Sequence, residues 1–548
     1  WYAGFPINYY YFGHLATALL AKLSSVDLAY AFNLMLASLF AFTFTMSFGI
    51  GRHLMGIAGG VLAAFLVTLA GNMQTIYAFT QGYIGEDVKP FWQLLWPAGE
   101  FLSRLPEGWT SYWYANATRF IPFTIHEFPS YSFVVSDVHG HVLSLPFVLL
   151  AIGLLVALFF DADDKKSKTH MLRIGIYGFL CGVLLMTNAL DGPLYMGLFF
   201  MVLMAFGKKR WKEIAAATGV AIFAAVVASA PFLSHFTSFV SGIAVNCPPA
   251  FLANIHVGPL LFESVEKCQR SPIWMLWLLW GFFIFCGLSY FFVRIKEKTK
   301  FTRKDILLLT FFGFAMLLII IPEFFYFKDI YPAHFRSNTM FKLGYEAFIL
   351  FSFVSAYAIV HVVRVRKWLL LALILPQLFL VSIYPIFSVN SYFGGLQNRM
   401  GLYGLAWLAH DYPDDFRAIE WFNTAAPRPI AASGFARGIV EATGESYTDA
   451  SRFSAFTGLP GIVGWPVHEW LWRGTYDVVA PREAEVRRVY ESESLEETDI
   501  ILARYSVQYV VVGPLERSTY INLQEWKFSA LGSVVFESGP TVIYEVTR

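Results

Sequence analysis

The chain has 548 residues, of which 57% are hydrophobic and only 14% charged, with a mean hydropathy of +0.53. That is too little charge to cover the surface of a soluble protein of this size, so a wholly soluble enzyme is excluded. The formal net charge of +1 leaves no electrostatic footprint for nucleic acid, and none is expected as a partner.

In chain order, Trp1–Tyr11 reads as the middle of a loop, and a further helix is expected ahead of Trp1. Apolar runs close to the ~20 residues of a spanning helix then recur. They are Ala31–His53, Met55–Gly71, Val138–Phe160, Arg173–Ala189, Gly192–Phe206, Glu213–Leu233, Pro272–Val293, Ile306–Pro322, Thr339–Val362 and Trp368–Ile386. About ten spans follow, and the pair around Asn188–Asp191 also reads as one stretch broken by a re-entrant turn. The 18% aromatic content suits interfacial belts and large interfacial loops.

Basic residues orient the spans. Lys165, Lys166 and Lys168 form one cluster, Lys208, Lys209, Arg210 and Lys212 a second, and Arg294–Lys304 a third; Arg364, Arg366 and Lys367 form a fourth. With this span count all four fall on one side, read as cytoplasmic. The other side then carries residues 1–30, 72–137, 234–271 and 323–338, together with the chain after Pro385. Cys181 and Cys286 fall within spans, whereas Cys247 and Cys268 share an external loop and are expected to form a disulfide, two free thiols being the alternative. Asn116-Ala-Thr118 is a glycosylation sequon on that side, a pattern short enough to arise by chance.

After Ser388 charged residues become frequent and apolar runs shorten. Asp415–Asn423 and Ala484–Glu491 read as helices, and Arg428–Ala432 and Tyr509–Val512 as strands. Val534–Phe536 and Thr541–Val546 read as a hairpin around Gly539-Pro540. Two domains follow, a multi-spanning domain over 1–387 and an extracytoplasmic α/β domain over 388–548.

Four polar stretches sit where polarity is costly. Asn8–His14 holds three consecutive tyrosines, which an interfacial belt also explains. Glu127, Asp137, His139 and His141 precede or open a span, and carboxylates beside imidazoles act as a general base or bind a divalent cation. Helix capping by Ser136 or Asp137 explains one of them but not four. Glu323, Asp329, Arg336, Asn338 and Lys342 flank a short external turn, suited to holding a phosphate or, alternatively, to a salt-bridged turn with Arg336 on Glu323 or Asp329. His468, Glu469, Trp472 and Arg473 lie in a Trp-rich segment suited to a sugar, or to dipping its indoles into lipid.

Nearly the whole chain resembles the YYY-type membrane proteins. The resemblance rests on Gly4–His14, Glu127–Phe133, Asp137–His141, Glu323–Lys342, Glu441–Arg452 and Gly458–Arg473. This chain has His139-Gly-His141 where the family usually has His-Pro-His, and Arg336-Ser-Asn338 where it has Arg-Met-Asn. The family is similar to the C-type (GT-C) glycosyltransferases, which take a sugar from a polyprenyl-phosphate carrier in the outer leaflet. The resemblance therefore implies an α-helical polytopic GT-C-like fold in the cell membrane. Its implied partners are membrane lipid, a polyprenyl-phosphate sugar donor, and a glycan, lipid or protein acceptor of open identity. No cofactor is assigned; a divalent metal ion at the carboxylate–imidazole group is the one candidate. The family's first external loop carries an Asp-Pro that would precede Trp1.

On this reading Asp137, Glu127 or that upstream Asp deprotonates an acceptor hydroxyl, and Arg336 and Lys342 stabilise the leaving phosphate. His139 and His141 orient the phosphate or a metal ion, in a cleft roofed by His468–Arg473. A transporter or flippase of lipid-linked saccharide, using the same charges, is the rival, although no inverted repeat is visible. A non-catalytic membrane scaffold is the third reading.

Overall fold

The computed structural model describes residues 2–547 apart from 84, 86, 161–167, 207–209, 239, 299, 332, 398–400 and 427–437. Lys165, Lys166, Lys208, Lys209 and the expected strand Arg428–Ala432 lie outside the described residues. The chain divides into two compact units. One comprises 10–235 and 241–402; the other comprises 1–9, 236–240 and 403–548.

The first unit is a helical bundle. Among the described residues, eight helices are long and apolar enough to cross a membrane, and this is a multi-pass membrane protein. They are Leu28–Met55, Gly140–Phe160, His170–Thr187, Trp211–Leu233, Ile273–Lys296, Arg303–Phe324, Ser337–Arg364 and Trp368–Phe393. The expected span Met55–Gly71 is instead a short helix, Ile57–Thr68, bent by 71° from the 3-10 turn Met73–Phe79. Gly71 explains the break: its N–H donates to the Val381 carbonyl rather than continuing the helix. A Cβ on Gly71 would lie 2.5 Å from Tyr384, so the close approach requires glycine. The stretch around Asn188 is likewise interrupted, and the apolar helix after it, Asp191–Phe206, has only 16 residues.

Small residues let the helices approach. A Cβ on Gly178 would sit 2.1 Å from the Ala221 carbonyl oxygen, and one on Gly182 2.6 Å from that of Ala225. This seam joins helix Lys168–Thr187 to Trp211–Leu233. Ser337–Arg364 is central, with 78% of its apolar window buried, against 17% for Trp368–Phe393 at the periphery.

Among the described residues, Arg303, Lys304 and Arg364 of the third and fourth basic clusters share one end of the bundle. Lys304 Nζ donates to the Leu54 carbonyl, Arg364 to the Met55 carbonyl and Arg303 to the Phe159 carbonyl. Each cation meets the last carbonyls of another helix, where the helix dipole favours positive charge. Asp305 closes a capping box with Thr302 and binds Arg294 Nη2 at 2.9 Å, which fastens two neighbouring helices there.

At the other end, four short strands run in the order His256–Val257, Leu260–Phe262, Ile243–Val245, Phe325–Phe327. The Cys247–Cys268 disulfide closes this loop region. Asn246 Nδ2 donates to the Gln269 and Glu323 carbonyls, tying the loop to the end of helix Arg303–Phe324.

The second unit carries a mixed four-stranded sheet in the order Gly438–Val440, Val507–Val512, Thr541–Val546, Gly532–Ser538. Val507–Val512 is buried along its whole length and pairs parallel to one neighbour and antiparallel to the other. Helices Pro413–Thr424 and Ala480–Glu491 supply Ile419, Phe422, Val486 and Val489 to the two clusters of its core. Residues 1–9 belong to this unit, with Tyr2 bridged to Gly461 and the Asn8 amide donating to the Thr237 and Trp472 carbonyls.

Candidate functional site

Pro129 opens helix Pro129–Val134, and the chain then turns through Ser136, whose φ of 56° lies in the left-handed region, before helix Gly140–Leu143. This double turn brings Asp137 and His141 to Glu127, with His139 on Asp137. Asp137 Oδ1 accepts from the His139 backbone N–H at 2.9 Å and from its Nδ1. Helix Gly140–Leu143 takes His139 as its N-cap without a side-chain cap bond, so neither Ser136 nor Asp137 caps it, and Asp137 presents Oδ2 to His141 Nε2 at 3.4 Å. Gly140 permits this path: a Cβ there would lie 2.3 Å from the Thr187 carbonyl oxygen.

His141 is buried between Phe341 and Tyr345, with centroids 4.7 and 5.0 Å away, both on the central helix. Its Nε2 also lies 3.4 Å from Ser132 Oγ and 3.9 Å from Glu127 Oε2. Glu127 Oε1 accepts from Arg119 Nη2 at 2.8 Å. Burial raises the Glu127 carboxyl against the pull of Arg119. Burial would raise Asp137 too, but the His139 hydrogen bond and the His141 and His139 charges leave it lowered. That same hydrogen bond, outweighing burial, raises His139.

Glu127, Asp137 and His141 each offer one ligand atom, all within 4.8 Å of one another. Tetrahedral ligands ~2.0–2.2 Å from an ion lie ~3.3–3.6 Å apart; the His141–Asp137 pair, at 3.4 Å, meets this spacing, and the His141–Glu127 pair, at 3.9 Å, is a few tenths of an ångström wider. Two carboxylates and an imidazole suit zinc or manganese, and the donor set fits a divalent cation.

The second predicted group lies at the same end of the bundle. Arg336 directly precedes the central helix, and Phe341 on its first turns packs on His141. Arg336 is only 2% exposed and donates to Glu323 Oε2 at 3.0 Å, which is the salt-bridged alternative. Ser271 N–H donates to the same oxygen. Asn338 donates to Asp329 Oδ2 at 2.6 Å. Lys342 Nζ donates to the Tyr10 phenol at 2.9 Å and lies 4.3 Å from its ring centroid, which gives the second tyrosine of the triplet a partner.

His468, Glu469, Trp472 and Arg473 lie on helix Pro466–Arg473 of the second unit. His468 Nδ1 is 2.7 Å from Ser446 Oγ, and its ring stands between Trp465 and Trp472. Glu469 is buried and accepts from Arg473 at 3.1 Å. Tyr447, 80% exposed, packs on Trp465 and His468.

Sequence reasoning missed Arg119. It is a lone arginine in a loop, and only folding sets it on Glu127.

The sequence pattern of the family described as "Uncharacterized membrane protein (DUF2298)" matches residues 1–314 and 297–351, and the chain belongs to that family. No curated protein matches the sequence. Among solved structures, the chain is similar to the Archaeoglobus fulgidus oligosaccharyltransferase in complex with Zn and sulfate, at a TM-score of 0.42 and 12% identity over 93% of this chain and 59% of that one. The same enzyme tethered to an acceptor peptide containing the NVT sequon gives 0.43 and 10%, over 100% and 68%. Archaeal oligosaccharyltransferase AglB from A. fulgidus, in complex with an inhibitory peptide and a dolichol-phosphate, gives 0.40 and 12%, over 100% and 66%. The chain thus spans about three fifths to two thirds of the length of these proteins.

Proposed function

We propose that this member of the family is a membrane glycosyltransferase that moves a sugar from a polyprenyl-phosphate carrier to an acceptor outside the cytoplasm. The observation that carries the reading is the convergence of Glu127, Asp137 and His141 at the end of the bundle opposite Lys304 and Arg364 of the third and fourth basic clusters. By the basic-residue rule that end is extracytoplasmic.

Glu127, Asp137 and His141 are the residues to hold a divalent cation, whose chemistry there is to neutralise charge developing on the donor phosphate. A carboxylate of this group, Asp137 or Glu127, takes the proton of the acceptor hydroxyl. The acceptor oxygen bonds to the anomeric carbon as the bond to phosphate breaks, and the carrier leaves as its phosphate. Lys342 supplies positive charge to that phosphate. Arg336, locked on Glu323, shapes the turn that delivers Lys342.

The decisive experiment is reconstitution of the full chain with polyprenyl-phosphate sugars and acceptor-bearing membranes. Asp137→Asn should lose transfer. Wild-type transfer rates in this variant, or transbilayer movement of the carrier without transfer, would overturn the proposal, the latter in favour of a flippase. A reporter after Arg303 should be cytoplasmic and one after Arg548 external; both on one side would overturn the assignment of sides.

A further inference from the structure

We infer that Arg119 is a resident counter-charge that couples cation binding at the Glu127–Asp137–His141 trio to binding of an oxyanion. The inference rests on the proposed cation site but not on glycosyl transfer.

Glu127 is buried, and a carboxylate in that setting needs a positive partner. Arg119 is that partner at 2.8 Å, on Oε1, while Oε2 turns towards His141. One carboxylate therefore serves two masters: the guanidinium that neutralises it now, and the ion that the trio is shaped to receive.

An incoming divalent cation would become a like-charged neighbour of Arg119. A guanidinium does not relieve that repulsion by giving up a proton. Two resolutions remain, since Arg119 either swings away from Glu127 or acquires an anion of its own. The local geometry favours the second. Arg119 Nη1 donates to Thr118 Oγ1 at 2.9 Å, and its guanidinium carbon lies 5.7 Å from the centroid of the Tyr131 ring, so two further contacts hold the group in place. Its side chain is nonetheless 42% exposed, against 10% for Glu127. An oxyanion can therefore reach the outer edge of the guanidinium while the inner edge stays on Glu127. Arg336 offers no such edge, because it is 2% exposed and committed to Glu323.

Linkage then requires each ligand to raise the affinity of the other by the same factor. The chemistry that fits is a phosphate-type oxyanion, whether free or at the head of a lipid.

The test measures Mn2+ binding to the detergent-solubilised full chain by electron paramagnetic resonance at constant ionic strength. It is run with chloride alone, with inorganic phosphate and with farnesyl monophosphate, each corrected for direct chelation in protein-free samples. In the wild type, an oxyanion should tighten Mn2+ binding about tenfold, a coupling within the usual range. A response to both probes makes any accessible oxyanion the ligand, and a response to farnesyl monophosphate alone makes it a lipid headgroup; either supports the inference. Arg119→Ala should bind Mn2+ more tightly than the wild type in chloride and lose the response to oxyanion. Arg119→Lys, which keeps the charge, should retain part of that response and stands in if the alanine variant fails to fold. Mn2+ bound with no oxyanion response in the wild type, or an unchanged response in Arg119→Ala, overturns the coupling alone. No Mn2+ bound, or binding indifferent to Glu127→Gln, overturns the cation site as well.

Discussion

Each unit of this protein contains a cluster of buried acids, and the two clusters differ in what meets their oxygens. In the second unit, Glu441 accepts from the Phe453 and Ser454 backbone N–H groups, both at 2.8 Å. Glu516 accepts from Ala442 and Gly513 in the same way. Asp415 accepts from Arg452 and from Thr541 Oγ1. Each of these carboxylates is answered by backbone or by a dedicated side chain, and Glu441 and Asp415 hold helix Arg452–Thr457 in place. In the bundle, Glu127 and Asp137 face a shared imidazole, and their partners Arg119 and His139 stand at the exposed rim, with side chains 42% and 57% exposed. Burial is therefore a poor sign of function by itself. An acid whose oxygens are all spoken for holds structure together, whereas acids that converge on a common point leave room for a ligand.

The sharpest way to break this contrast is to substitute both clusters and compare activity with stability. Asp137→Asn should lower transfer by about 10²–10⁴-fold, the usual worth of a positioned acid–base group, with an unchanged melting temperature. Asp415→Ala should instead cost about 3–5 kcal/mol by stranding the buried Arg452, read as early unfolding of the second unit in proteolysis. If Asp137→Asn unfolds the bundle and Asp415→Ala is silent, the contrast is wrong.

A second comparison uses pH. Burial pushes the Glu441 carboxyl up to about 7 from an ordinary 4.5. The folded state then holds this proton more tightly than the unfolded chain does. The resulting stability is fully present below about pH 4.5 and is lost as pH rises through 7. From pH 5 to 8 the wild type should lose up to about 3 kcal/mol relative to Glu441→Gln. A gap that does not change with pH would show that the backbone donors outweigh burial at this carboxylate.

The smallest expected effect is at Gly140. Its added methyl would meet the Thr187 carbonyl at 2.3 Å, and Gly140→Ala should cost about 1–3 kcal/mol through overpacking. Because His139 and His141 flank it, Mn2+ affinity should fall in the same variant. Unchanged affinity would mean that the turn tolerates the shift.

Much of the bundle was legible in the sequence because a bilayer imposes strict rules. A spanning helix must be long and apolar, and the cations at its ends must gather on one side, so composition and the four basic clusters led to about ten apolar helices. The bend after Thr68 was not legible, since it depends on Gly71 meeting Tyr384 some three hundred residues later. Glu127, Asp137, His139 and His141 were visible as a group because they are close in sequence and costly where they stand. Arg336 was visible too, but its commitment to Glu323 over other partners depends on how two helix ends meet.

What the sequence determined by itself is therefore the membrane class, the apolar helices, the hairpin and helices of the second unit, and the short list of expensive polar residues. These follow from local periodicity and from the price of polarity in hydrocarbon. Only the tertiary structure decided which of those residues answer one another, that Arg119 sits on Glu127, and that the acids around Glu441 are structural. Such pairings are set by how loops and helix ends fold against one another, and no local pattern records them.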